Sequence, residues 1–161
     1  MRRASIEVSS RLDAPSEQVW RWIATADGVN DELRPWMRMT VPGGGEIDLN
    51  SIEVGKPIGR SWVLLLGLIP IDYDEINVVE LERGRGFVER SRMLSQRAWE
   101  HARTIEPDSG GSVITDRVAW EPRLPVPARA LRPLFGAIFR HRHRRLRRRF
   151  GGGPAQAAPR S

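Results

Sequence analysis

Between Gly59 and Glu121 the chain runs through five strand-like segments: Gly59–Ile71, Tyr73–Leu81, Gly86–Ser95, Ala98–Ile105 and Ser112–Glu121. Only short breakers separate them, among them Gly84-Arg85-Gly86 and Pro107-Asp108-Ser109-Gly110-Gly111. A parallel neighbour needs a connection of a dozen or more residues, so these strands are expected to form an antiparallel meander. Such a sheet has one face to bury. The flanking sequence supplies the cover. Ile6–Leu12 alternates like a half-buried strand, and Asp13-Ala14-Pro15-Ser16-Glu17 reads as a helix start with Pro15 at the first helical position and Asp13 or Ala14 as cap. Val19, Trp20, Ile23 and Ala24 form its apolar stripe. Asp27 is placed to cap a second short helix that carries Val29 and Leu33 and ends before Pro35. A short strand at Met37–Val41 is broken by Pro42-Gly43-Gly44-Gly45, and beyond the Pro-rich joint at Pro122–Pro127 a long helix begins near Ala128.

The expected fold is α+β: a strongly curved antiparallel sheet of about six or seven strands wrapped around a long C-terminal helix, with two short helices after the first strand. The long helix is the only element large enough to cover the sheet. Space is left between them, closed at one end by the short helices. Residues 1–150 are assigned to this single domain, and Gly151–Ser161 has the composition of a disordered tail. Trp62–Ile71, the longest apolar run, contains Gly67 and Pro70, is too short to span a bilayer, and reads as a strand buried on both faces. The start of the chain has no apolar export segment, so a cytoplasmic location is expected.

Charge divides the chain unevenly. Residues 1–139 hold 18 basic and 20 acidic groups, whereas residues 140–161 hold 8 Arg and no acid, so the formal +6 belongs to one terminal segment. The absence of Cys excludes disulfides, thiolate metal sites and a Cys nucleophile. With three His, two of them inside the Arg run, no His-rich metal cluster can be drawn, and no metal or cofactor is expected. Gly43-Gly44-Gly45 lacks the Gly-Lys-Ser/Thr ending of a phosphate loop and is a turn. Asp72-Tyr73-Asp74-Glu75 lacks metal-loop spacing and reads as a solvated strand end.

Taken in order, several segments resemble one superfamily. They are Ala14-Pro15-Ser16-Glu17-Gln18-Val19-Trp20, Gly28 to Trp36, Phe87-Val88-Glu89-Arg90-Ser91, Trp99-Glu100-His101, Thr115-Asp116-Arg117-Val118, and Phe139-Arg140-His141-Arg142 with Leu146. The chain resembles the polyketide cyclase and START-like (SRPBCC) superfamily, whose helix-grip fold is shared with the birch-pollen (Bet v 1-like) allergens. The resemblance runs from about Ile6 to Phe150. It implies a hydrophobic cavity for a small lipid-, aromatic- or polyketide-like molecule, and it does not by itself separate carriers from enzymes.

The last hairpin carries the sharpest polar constellation. On Ala98–Ile105 the odd positions Trp99, His101, Arg103 and Ile105 are taken as inward, and on Ser112–Glu121 the even positions Ile114, Asp116, Val118 and Trp120. A register pairing Ile105 with Ser112 sets His101 opposite Asp116, within hydrogen-bonding reach. The pair is either structural or a ligand-orienting or acid–base pair, and a cyclase or aromatase-like activity would use His101, Asp116 and Tyr73. Trp36, Trp62 and Trp99 are pocket candidates, with Met39, Phe87 and Met93 as adaptable walls; Ser91, Phe135 and Ile138 complete the expected lining.

On the C-terminal helix, Leu131, Phe135, Ile138, Phe139, Leu146 and Phe150 share one face, and Arg140, Arg144, Arg145, Arg147 and Arg148 fall on the other, a wet face open to an anionic membrane or nucleic acid. Arg142 and Arg149 project into the apolar arc. Arg142 therefore needs a carboxylate, an outward snorkel or an anionic ligand, with Glu89 and Asp116 as conceivable partners.

Overall fold

A computed structural model describes residues 3–155. In chain order the elements are β1 (Ala4–Leu12), α1 (Ser16–Ile23), α2 (Ala26–Leu33), β2 (Met37–Met39), β3 (Gly59–Leu65), β4 (Ile69–Ile76), β5 (Val78–Glu82), β6 (Gly86–Met93), β7 (Gln96–Asp108), β8 (Gly111–Pro122), α3 (Arg132–Phe150) and β9 (Gly153–Pro154). Among the described residues the sheet has nine strands in the order β2-β3-β4-β6-β7-β8-β1-β9, with β5 paired to β6. Every pairing is antiparallel. The count exceeds the expected six or seven for two local reasons. The segment Tyr73–Leu81 is interrupted at Asn77, which divides β4 from β5, and Gly153–Pro154 folds back against Ser10 and Arg11 of β1. Residues 151–155 thus lie along β1 instead of leaving the domain, and residues 156–161 of the expected tail lie outside the described residues.

Both short helices start differently from expectation. Pro15 itself is the N-cap of α1, without a capping hydrogen bond, so neither Asp13 nor Ala14 caps it. Thr25, not Asp27, caps α2, its Oγ1 accepting from the Gly28 N–H at 3.1 Å. Asp27 falls in the first turn, where a negative charge suits the helix dipole. The junction is tight: a Cβ at Gly28 would lie 2.0 Å from the Trp22 carbonyl oxygen. Gly28→Ala is expected to cost about 2 kcal/mol by forcing the two helices apart, measurable as a lower urea midpoint with an unchanged slope.

The strand faces follow the sequence pattern. Trp99, His101, Arg103 and Ile105 turn inward, as do Ile114, Asp116, Val118 and Trp120. The register differs by two residues. Asp108 pairs with Gly111 across a two-residue Ser109-Gly110 turn in which Gly110 has φ 79°, so Ile105 faces Ile114, His101 faces Val118, and Arg103 faces Asp116. A two-residue turn of this kind sets hairpin register, and a shift of two leaves every side chain on its own face.

The core is divided. Leu12, Val19, Trp20, Ile23, Ile105, Ile114 and Leu146 pack together at one end. Ala4, Val118, Trp120, Ala128 and Phe139 pack together at the other. Between Ile114 and Val118 on β8 sits Asp116, between Leu146 and Phe139 on α3 sit Arg142 and His143, and Arg103 and His101 follow Ile105 down β7. All five are buried. A polar layer therefore separates two apolar clusters at the same level of three elements.

The apolar run Trp62–Ile71 is not a strand buried on both faces. It is the β3–β4 hairpin, and Leu65, Leu66, Leu68, Ile69 and Ile71 are exposed at or near its tip. Gly67, with φ 75°, makes the turn that breaks the run.

Candidate functional site

Between the sheet and α3 lies a cavity of about 970 Å³. Helix α2 contributes Val29 and Leu33, α3 contributes Phe135 and Ile138, and the sheet contributes Val63, Ile76, Phe87 and Trp99. Trp36, Met39, Met93, His101 and Arg142 also line it, so nine of the thirteen residues expected at the site are there. Trp99 meets Phe135 edge-on at 5.1 Å, and His101 lies between the edges of Phe87 and Phe139 at 5.3 and 5.2 Å.

Four expected residues are elsewhere. Trp62 and Tyr73 face each other across β3 and β4 on the outer side of the sheet, 5.8 Å apart and edge-to-face, with Arg60 stacked on Tyr73. Their neighbours Ser61, Val63, Asp72 and Asp74 take the inward positions. Ser91 lies behind the wall, its hydroxyl donating to Glu89 at 2.5 Å. Asp116 is sealed beneath His101 and Arg103 and has no solvent exposure.

Among the described residues, no fully buried side-chain polar atom of the layer is left without a partner. The Asp116 carboxylate accepts from His101 Nε2 at 2.8 Å, from Arg103 Nε and Nη2 at 2.7 Å each, and from His143 Nε2 at 3.0 Å. Arg103 also grips Glu32 through Nη1 and Nη2 at 2.7 and 2.9 Å, and Glu32 accepts from Arg142 Nε at 2.8 Å. The partner of Arg142 is therefore Glu32 of α2, not Glu89 or Asp116. Ser10 Oγ accepts from Arg147 at 2.8 Å and lies 2.8 Å from His143 Nδ1, so its own proton can go to that ring nitrogen while Nε2–H donates to Asp116. Two guanidiniums thus balance two carboxylates. Burial, the largest single influence, pushes the Asp116 and Glu32 carboxyls up, but it is outweighed by Arg103 and His101 together at Asp116 and by Arg103 and Arg142 together at Glu32. The net effect holds Asp116 well below the usual range and Glu32 below its own. Arg103 is held well above its usual value: burial opposes the charge, and Asp116 and Glu32 more than compensate.

Sequence reasoning missed Glu32, Arg103 and His143. Glu32 is followed by Leu33 on a helix read only for its apolar residues, and His143 was hidden within the Arg run. One signal was available: Arg103 occupies an inward position on a strand, which demands a carboxylate.

A second polar group lies on the opposite wall. Asp72, Asp74 and Glu89 line the cavity from β4 and β6, together with Ser95 and Gln96. The Asp72-Asp74 segment is therefore not a solvated strand end. Asp72 accepts from the Ser95 hydroxyl, and Gln96 Nε2 donates to Ser95 Oγ at 3.1 Å. Asp74 is 5% exposed, and its Oδ1 is buried without a partner. Burial and then the adjacent Glu89 carboxylate, within hydrogen-bonding contact, push the Asp74 carboxyl up to about 9. At neutral pH the two carboxyls hold one extra proton between them.

The Arg face is not uniformly wet. Arg145 bonds the Asp31 carboxylate at 2.7 Å and Arg147 bonds Ser10, while Arg149, from the apolar arc, stacks at 3.4 Å on Trp22. Arg140, Arg144 and Arg148 are exposed, and the first two border the cavity instead of lying away from it.

Residues 10–150 match the family model of a domain of unknown function, DUF8410. The chain belongs to this family. No curated protein sequence is recognisably similar to this DUF8410 domain. Solved structures are similar to it in fold. The CV1439 protein of Chromobacterium violaceum is 17% identical, with TM-score 0.71 over 91% of this chain and 96% of its own. A START superfamily protein from Mycobacterium smegmatis is 13% identical, with TM-score 0.63 over 92% and 96%. The allergen Ara h 8.0201 is 13% identical, with TM-score 0.57 over 90% and 98%. The DUF8410 domain therefore has the START-like, Bet v 1-like helix-grip fold expected from its motifs. No helix among the described residues is long and apolar enough to cross a membrane.

Proposed function

We propose that the protein binds a small hydrophobic molecule in the cavity between the sheet and α3. The observation that carries this reading is the cavity itself: about 970 Å³, walled by Val, Leu, Ile, Met, Phe and Trp side chains with a few convergent polar groups. The polar groups suggest the cargo's chemistry. Asp72, Glu89 and the carbonyl of Gln96 are hydrogen-bond acceptors on one wall, so the cargo carries a donor, a hydroxyl or an amine, at that end.

Native mass spectrometry of gently purified protein tests the proposal, with a co-purifying mass released on denaturation as the expected result. Ile138→Trp fills the space beside α3. It is expected to weaken uptake of an apolar fluorescent dye about tenfold or more, while the melting temperature stays within about 3 °C because the ring enters existing space. Empty spectra from repeated preparations, together with no dye uptake by the native protein, would overturn the reading.

A second reading, acid–base chemistry on the bound molecule, is favoured by Asp74, a carboxyl that keeps its proton at neutral pH on the cavity wall. A cyclase-like reaction would then rest on Asp74, Glu89 and His101, since Tyr73 and Asp116 do not reach the cavity. Turnover lost in Asp74→Asn, with dye uptake retained, distinguishes catalysis from carriage.

A further inference from the structure

The cavity meets solvent where its lining residues are themselves exposed: Trp36, Leu65, Ile71, Leu134, Arg140 and Arg144. Beyond this rim projects the β3–β4 tip. Leu66 is 56%, Leu68 82% and Ile69 56% exposed, and the Leu66 N–H donates at 2.7 Å to the Trp36 carbonyl, which joins the tip to Trp36. So many large apolar side chains at one projecting corner exceed the scattered exposure of an ordinary surface and mark an interaction site.

The exposed cations beside this corner are three arginines, and Asp72, the acid that follows Ile71 on the hairpin, lines the cavity and is bonded to Ser95. Arg38 is exposed on β2 opposite Leu64, and Arg140 and Arg144 stand across the opening on α3. None of the three is in an ion pair among the described residues.

We infer that the β3–β4 tip and its arginine rim dock the protein on an anionic lipid surface, with the aliphatic side chains entering the headgroup layer and the guanidiniums meeting lipid phosphates. Charge decides between this occupant and a second copy of the chain. A two-fold contact through the tip brings the basic rim of one copy, with Arg38, Arg140 and Arg144, close to the same rim of the other, and the two repel, whereas an anionic bilayer matches both the greasy tip and the basic rim. A narrow apolar projection flanked by cations is also the shape that binds an interface without spanning it. Docking at this corner sets the cavity mouth against the bilayer, so an apolar cargo can pass without crossing water. The docking itself does not depend on the cargo reading.

Flotation of the full chain with vesicles tests the inference. Vesicles of phosphatidylcholine with about one-third phosphatidylglycerol are expected to carry the protein at low salt, and pure phosphatidylcholine vesicles are not. Raising salt to about 0.5 M is expected to release it, because screening shortens the reach of the arginines. Leu66→Ser/Leu68→Ser is expected to lower partitioning about tenfold or more, and Arg140→Gln/Arg144→Gln about 30-fold, each variant melting like the native protein. No association of the native chain at low salt overturns the inference, as does native-like binding by the Leu variant. A dimer at micromolar concentration that Leu66→Ser/Leu68→Ser dissolves also overturns it, and assigns the tip to a second copy. Failure on vesicles leaves the mass-spectrometric test of cargo untouched.

Discussion

Arg103→Met is expected to lower the unfolding free energy by about 3–5 kcal/mol, enough to leave a domain of this size barely folded. The side chain volume is nearly conserved, so packing contributes little to the loss. The cost arises because Asp116 loses two of its four donors and Glu32 loses two of its three, while both stay buried with charges to satisfy. Urea unfolding followed by circular dichroism measures it, and a loss below about 1 kcal/mol would show that the network is not the link between α2, α3 and the sheet. A companion variant separates ionic from packing effects. Replacing Arg103, Asp116, Glu32 and Arg142 by Met and Leu, and His101 and His143 by Leu so that neither buried ring is left without its Asp116 acceptor, is expected to recover much of the stability, since uncharged groups of like shape need no partners. Acid acts on the same network. Both carboxylates titrate below their ordinary values in the folded protein, so their stabilisation is complete above the unfolded range and lost as pH falls through the folded values.

Asp74→Asn is expected to act in the opposite direction and stabilise the protein at neutral pH by about 2–4 kcal/mol. The native carboxyl titrates near 9 when folded against 3.8 ordinarily. Between those values the folded state holds a proton that the unfolded state has released. Stability contributed by this site is therefore full below the unfolded value and is lost as pH rises through the window, at about 1.4 kcal/mol per pH unit. Asparagine keeps the shape, donates to Glu89 and does not titrate. Melting curves from pH 4 to 9 should converge at the acid end and separate toward the alkaline end; parallel curves would show that Asp74 is ionised in the fold. A buried acid that weakens the fold, on a cavity wall, is the kind of cost that proteins accept at working sites.

Much of the architecture is legible in the sequence alone. The short breakers between Gly59 and Glu121 allow only antiparallel neighbours, and the apolar arc of Phe135, Phe139 and Leu146 marks the covering helix. Alternation correctly assigned Trp99, His101, Ile114 and Asp116 to one face, since strand geometry repeats every two residues whatever the partner. It failed at Trp62 and Tyr73, where size and aromaticity suggested a pocket but the parity of β3 and β4 turned both outward. It failed again at Asp72 and Asp74, where acidity suggested solvent although the same parity turned both inward.

Local periodicity and breaker spacing thus established the element order, the antiparallel sheet, the covering helix and the inward faces of the last hairpin, because these depend on interactions between residues close along the chain. Which charges meet was decided only in three dimensions. Arg103 finds Glu32 from 71 residues away and Arg142 finds the same carboxylate from 110. The two-residue turn at Ser109-Gly110 sets Arg103, not His101, opposite Asp116. A single sequence records that a buried arginine needs a carboxylate, but chain crossing selects which one, and the same crossing leaves the apolar β3–β4 tip outside the core.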